Sequence, residues 1–142
     1  MFLQNGLELT LYGSLATDER MQTDNERCMP VAVSFGESSM LVAGDMTRES
    51  ELIFLRYENM DPFDVLKVAH HGSADSTTPL FLEQIMPRAA LVSVGNNSYG
   101  LPADKTIQRL AESGCAVYRT DERGTVEILA DRNGEIACLA AS

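Results

Sequence analysis

Three short stretches end in side chains able to do chemistry. Leu41-Val42-Ala43-Gly44-Asp45 closes an apolar run with a carboxylate. Asp64-Val65-Leu66-Lys67-Val68-Ala69-His70-His71-Gly72-Ser73 closes another with two imidazoles, and these are the only two histidines in the chain. A third apolar run, Ala89 to Val94, leads into Asn96-Asn97. Carboxylate and neutral imidazole suit a borderline divalent cation such as zinc, and a carboxylate can bridge two of them. In open α/β sheets, sites form just beyond the carboxyl ends of parallel strands, which is where these runs place Asp45, the histidine pair and the asparagines. Each feature alone has a plain structural use: Asp45 could cap the following helix, and a histidine at a strand end often completes a core hydrogen bond. Their conjunction, with an apolar run before each, is much more specific. Consecutive side chains on an extended backbone face opposite ways, so the pattern admits one of His70 and His71 as a ligand and puts the other behind it or in the core.

The elements that must position these residues follow from pattern. Leu7 to Tyr12 alternates apolar and polar, as a half-buried strand near a sheet edge does. Gly13 to Met29 is polar and charged and reads as a long surface loop. Pro30–Phe35 and Ser39–Ala43 flank Gly36-Glu37-Ser38 as a hairpin. Thr47 is placed as an N-cap for a helix over about 48–57, with Glu49 and Glu51 favourable in its first turn and Leu52, Ile53 and Leu55 as its apolar face. Asp61-Pro62-Phe63 breaks it, and Val65 to Ala69 is the next strand. Thr78-Pro79 opens a second helix through Leu80, Phe81, Leu82, Ile85 and Met86, which Pro87 stops. Ala89–Val94 is a strand, and about 103–113 a helix with Ile107, Leu110 and Ala111 on one face and Gly114 just past its end. Ala116–Arg119 and a hairpin of 125–130 and 135–140 around Arg132-Asn133-Gly134 complete the chain. This order predicts an α/β fold with a mixed sheet, in one domain over 1–142.

Composition narrows the partners. The 142 residues carry a formal net charge of −10 with no basic stripe, which disfavours nucleic-acid binding by charge alone. Cys28, Cys115 and Cys138 form no C-x-x-C pair and read as small buried hydrophobes. No run approaches the roughly 18–20 apolar residues of a membrane span, and no signal peptide is evident.

From about Pro30 to Ala130 the chain resembles the C-terminal half of the metallo-β-lactamase-like domain of the ComEC family of DNA-uptake proteins. The resemblance is carried by Leu41–Asp45, Asp64–Ser73, Pro87–Gly95, Asn97-Ser98-Tyr99-Gly100 and Gly114–Gly124. It implies one half of an αββα sandwich, a mixed sheet with helices on one face. It also implies that Asp45 matches the family's metal-bridging aspartate and that His70 or His71 matches its late metal-ligand position. His71 is preferred because a histidine followed by a small residue and then Ser or Thr recurs there. In that family the domain lies outside the cytoplasmic membrane.

Two departures qualify the match. No H-x-H-x-D-H motif is present, and Leu101 stands where the resemblance leads one to expect a histidine. A catalytic zinc takes three protein ligands plus water, so Asp45 with one or two imidazoles is expected to hold zinc or another divalent metal weakly or not at all in the isolated chain. Two functions remain. One is a non-catalytic binding or scaffold module. The other is a contributor of Asp45 and histidine to a metal-dependent phosphodiester hydrolase completed elsewhere, with DNA as a partner by family analogy. The sheet face that lacks helices is expected to be covered by a second copy or by the missing half.

Overall fold

The computed structural model describes residues 4–13, 19 and 23–140. Most of the polar stretch expected as a long loop between Gly13 and Met29 lies outside the described residues.

Among the described residues eight strands and four α-helices are formed: β1 Leu7–Leu11, β2 Val31–Phe35, β3 Ser38–Val42, α1 Arg48–Tyr57, β4 Val65–Lys67, α2 Pro79–Ile85, β5 Ala89–Val92, α3 Asp104–Glu112, β6 Ala116–Arg119, α4 Thr120–Arg123, β7 Val126–Ala130 and β8 Ile136–Ala140. Six of the strands make one sheet in the order β1-β2-β3-β4-β5-β6, and β7 with β8 forms a separate ribbon. The first two pairings are antiparallel and the next three parallel. The mixed α/β architecture expected from the sequence is the observed one, with β1 at an edge.

Strands β3 to β6 are laid down in chain order, with α1, α2 and α3 between them. Right-handed crossovers at successive steps in one direction put every helix on the same side of a sheet. The core agrees: Phe54 of α1, Phe81, Leu82 and Ile85 of α2 and Leu110 of α3 share one cluster with Ala32, Leu41, Leu66, Ala90 and Val92 of the sheet. Phe54 is fully buried and meets Tyr12 edge-on, ring centroids 5.1 Å apart. Each such buried side chain contributes roughly 1.5–3 kcal/mol.

Helix starts follow the expected chemistry. The Thr47 side chain accepts from Ser50 N–H, and Ser50 Oγ accepts from Thr47 N–H in return, a reciprocal cap. Thr78 caps α2, with Pro79 in its first turn. The buried faces are rotated from those expected. In α1 they are Ser50, Glu51, Ile53 and Phe54, with Leu52 exposed, and in α3 Thr106 and Leu110, with Ala111 exposed. These helices tuck small polar residues and one carboxylate under the loops above the sheet, which apolar periodicity does not register.

Among the described residues the other sheet face carries no crossover helix. One transverse row there runs Leu11, Val31, Val42, Lys67, Leu91, Tyr118, and the next Leu9, Val33, Met40, Val65, Ala89, Ala116. The β7–β8 ribbon covers one end of it. Ile128, Ala130 and Ile136 face Leu7, Val33, Phe35, Met40 and Val65 across an apolar groove of about 290 Å³. The tip of the ribbon is fastened to the β2–β3 turn. Glu37 N–H donates to Arg132 C=O at 3.0 Å, Ser38 Oγ to Asp131 C=O at 2.7 Å, and the Arg132 guanidinium lies 4.8 Å over the Phe35 ring. Towards the other end Leu11 remains 58% exposed.

Candidate functional site

Asp45, His70-His71 and Ser93 to Asn97 follow β3, β4 and β5 at the same end of three adjacent parallel strands. The loops are fastened together. His70 N–H donates to Gly44 C=O at 2.9 Å, Ala43 N–H to Lys67 C=O at 3.3 Å and Val68 N–H to Leu91 C=O at 2.9 Å. The site residues read from the sequence are therefore brought to one place, at the carboxyl edge of the parallel sheet.

The histidines do not lie on extended backbone. Strand β4 stops at Lys67, and Ala69–Gly72 forms a tight turn in which His70 (φ 45°), His71 (φ 53°) and Gly72 (φ 85°) are all left-handed. Alternation along a strand thus gives no reason to choose between the imidazoles. Hydrogen bonding does. His71 Nδ1 lies 2.6 Å from the Ser93 carbonyl. A carbonyl only accepts, so the proton sits on Nδ1, and in the neutral ring Nε2 keeps its lone pair. A backbone carbonyl holding one ring nitrogen while the other stays available is the arrangement that orients metal-binding histidines. His71 is exposed at an open cleft of about 570 Å³ with Ser93, Val94, Gly95, Thr120, Gly124 and Thr125, whereas His70 is half-buried.

The turn is held from below. Gly72 C=O accepts from Ala103 N–H at 2.9 Å, and Ser73 C=O accepts from Thr106 Oγ1 at 2.7 Å and Ser76 Oγ at 3.2 Å. Behind it, Glu51 of α1 is fully buried and accepts from the N–H groups of Thr77 and Thr78. Burial raises its carboxyl above the usual range, while those donors and the charge of Arg109 pull the other way. The sequence shows Glu51 as a solvated first-turn charge, but its work is to pin the segment after the histidines.

Asn97 is not available as a ligand. Its Nδ2 donates to Gly95 and Leu101 carbonyls, both at 2.8 Å, and its Oδ1 accepts from Tyr99 N–H at 3.0 Å and Leu101 N–H at 3.1 Å. That is the amide's capacity in two donors and two lone pairs. Its role is to shape the loop carrying half-buried Leu101.

Two neighbours of Asp45 were not legible in advance. A Cβ on Gly44 would meet Cys28 Cβ and Sγ at 3.6 Å, which puts this thiol against the strand end. Its pKa is pushed up to about 11, first by burial; a hydrogen bond from the Asp45 backbone lowers it and the Asp45 charge raises it. It is a neutral thiol at physiological pH, half-buried and unpaired like Cys138, while Cys115 is buried. On the open face Lys67 is half-buried, and its ammonium pKa is lowered by burial and raised by Asp45. A cysteine 17 positions away in sequence leaves no local signal, but a lone lysine inside the apolar run Val65 to Ala69 does.

Asp45 and His71 are right in type for a divalent cation. Among the described residues no group of three or more His, Cys, Asp or Glu is arranged to hold a metal ion. Among the described residues no helix is long and apolar enough to cross a membrane.

No family model matches the chain. Over 104 residues it is 36% identical to ComE operon protein 3 of Bacillus subtilis (strain 168), covering 72% of this chain and 13% of that protein. It is 34% identical over 108 residues to Recombination protein 2 of Haemophilus influenzae, covering 75% and 14%. With Competence protein ComA of Neisseria gonorrhoeae the identity is 31% over 113 residues, covering 78% and 16%. The chain spans about one seventh of the length of these curated relatives. Homologues so named indicate a competence and DNA-uptake family, of whose members this chain matches one segment.

Proposed function

We propose that the chain is the second half of a metallo-β-lactamase-like domain of a competence protein, bearing one side of a metal site and not catalytic as an isolated chain. The observation that carries this reading is at the strand ends: His71 is oriented by Ser93 with Nε2 left over, its loop is tied to that of Asp45 through His70 N–H and Gly44 C=O, and no group of three or more His, Cys, Asp or Glu forms among the described residues. The alternative reading shares the geometry. Asp45 and His71 would then contribute to a metal-dependent phosphodiester hydrolase whose other ligands come from a further segment or another chain, with DNA as substrate by analogy with the relatives.

Metal analysis of protein purified without chelator separates the two. Substoichiometric zinc and manganese, unaltered by Asp45→Ala, are expected. Stoichiometric metal lost in that variant would establish the second reading.

The part of the helix-free sheet face that the ribbon leaves clear among the described residues supports a partner on that side. Leu11, Val31 and Val42 stand side by side in an apolar row beside the ribbon, which Lys67 separates from Leu91, and such a face is a typical interaction surface. A second copy is the simplest occupant. Size-exclusion chromatography with light scattering is expected to show a dimer at micromolar concentration, and a well-behaved monomer would remove self-association.

A further inference from the structure

The β7–β8 ribbon is a layer of two strands, and among the described residues each is paired on one side only. An unpaired strand edge is a row of N–H and C=O groups ready to take another strand. Proteins guard such edges with charged side chains, proline or bulges. Three of the four strand edges carry a charge: Glu8 in β1, Arg119 in β6 and Glu127 in β7. Strand β8 is the exception. Ile136-Ala137-Cys138-Leu139-Ala140 holds no charge, no proline and no glycine.

The ladder fixes which groups of β8 face outward. Asp131 N–H donates to Glu135 C=O at 3.0 Å, and these two residues continue the register in which Ala130 stands opposite Ile136. Opposed residues of an antiparallel pair alternate between bonded and non-bonded. Ala137 and Leu139 therefore bond to β7, and the N–H and C=O groups of Ile136, Cys138 and Ala140 point to the open edge. Side chains alternate too. Ile136 lines the groove under the ribbon, with Cys138 and Ala140 on the same side of the strand, while Leu139 is turned out and 46% exposed.

We propose that β8 is a self-pairing edge, at which two copies of the chain join antiparallel, β8 to β8, about a two-fold axis at Cys138. The inference rests on the self-association reading above and names the strand through which the copies meet. Pairing about Cys138 sets Ile136 against Ala140 of the second copy and Ala137 against its Leu139, so a large side chain meets a small one at each step. The outward groups of 136, 138 and 140 then find mates in register. Two chains of net charge −10 repel at long range. An uncharged strand is the edge that adds no like-charge pair at the contact. The two ribbons become one four-stranded layer, and a closed two-fold leaves no β8 edge for a third copy.

Size-exclusion chromatography with light scattering, combined with amide exchange followed by NMR at low and high protein concentration, tests this. A dimer is expected. Raising the concentration slows exchange at 136, 138 and 140 about tenfold or more, while 137 and 139, already bonded to β7, are unchanged. Leu139→Lys keeps the hairpin, because Glu127 stands opposite, and sets two like charges diagonally across the axis. Ala140→Pro removes only an outward N–H. In either variant the dimer dissociation constant rises about tenfold or more. A dimer whose exchange at 136, 138 and 140 ignores concentration, or whose two variants dimerise as tightly as wild type, overturns the edge and leaves self-association through the sheet face standing. A monomer at micromolar concentration overturns both, and protection of the three amides within that monomer assigns the edge to another segment of the same chain. Open-ended assemblies larger than a dimer overturn the two-fold pairing.

Discussion

Glu51→Ala is expected to lose about 3–5 kcal/mol of stability, the range for stripping one partner from a buried charged hydrogen-bond network. The carboxylate is fully buried and receives the Thr77 and Thr78 N–H groups from a segment 26 and 27 positions away. Removing it orphans two buried donors, each costing about 1–3 kcal/mol, beside Thr77, which is held at φ 55° and whose Oγ1 is buried without a partner. Urea denaturation gives the magnitude. Amide exchange at residues 70–78 tests the positioning role: faster exchange there than in the β3–β5 strands is expected, and uniform loss of protection would show Glu51 to be merely part of the core. Sign matters for pH. Burial raises the folded-state pKa above the ordinary carboxylate value, so the folded state binds the extra proton and stability falls as pH climbs from that ordinary value through the folded pKa. The margin of wild type over Glu51→Ala is therefore largest at the acid end of this window.

Gly72→Ala is expected to cost about 2–4 kcal/mol, the sum of left-handed strain and overpacking. A methyl there would stand 2.6 Å from Pro102 Cβ and 3.4 Å from Val92 Cγ1, at φ 85°. The turn has no slack to absorb the clash, because Gly72 C=O is already tied to Ala103 N–H and the two preceding residues are themselves left-handed. The displacement passes to His71. Loss of the Nδ1 hydrogen bond to Ser93 should appear as a tautomer change in imidazole ¹⁵N spectra alongside a lowered denaturation midpoint. A variant with wild-type midpoint and wild-type tautomer would mean that the loop of Pro102 yields freely.

The contrast between Gly72 and its neighbours shows what a sequence can disclose. Apolar runs ending at Asp45 and His70 announced parallel strands, because strand burial leaves a local mark. Thr47 and Thr78-Pro79 announced helix starts, because caps are local chemistry. The turn at His70-His71 left no such mark. Left-handed φ at two successive residues with side chains is imposed by the Gly44, Ser93 and Ala103 contacts, drawn from three other loops. The same holds for Cys28 against Gly44 and for Glu51 beneath Thr77: each role is set by what the fold brings over it. Asn97 shows the converse, a polar residue at a promising strand end that spends all its hydrogen bonds on its own loop.

The fastening of the ribbon tip has a consequence for the segments around Asn5 and Arg132. Arg132 reaches back to the Asn5 carbonyl across 127 positions, and Ser38 to Asp131 across 93. These links close long loops, yet closure entropy grows only logarithmically with length. Removing the segment that carries one arm of the clasp leaves the other arm without its mate.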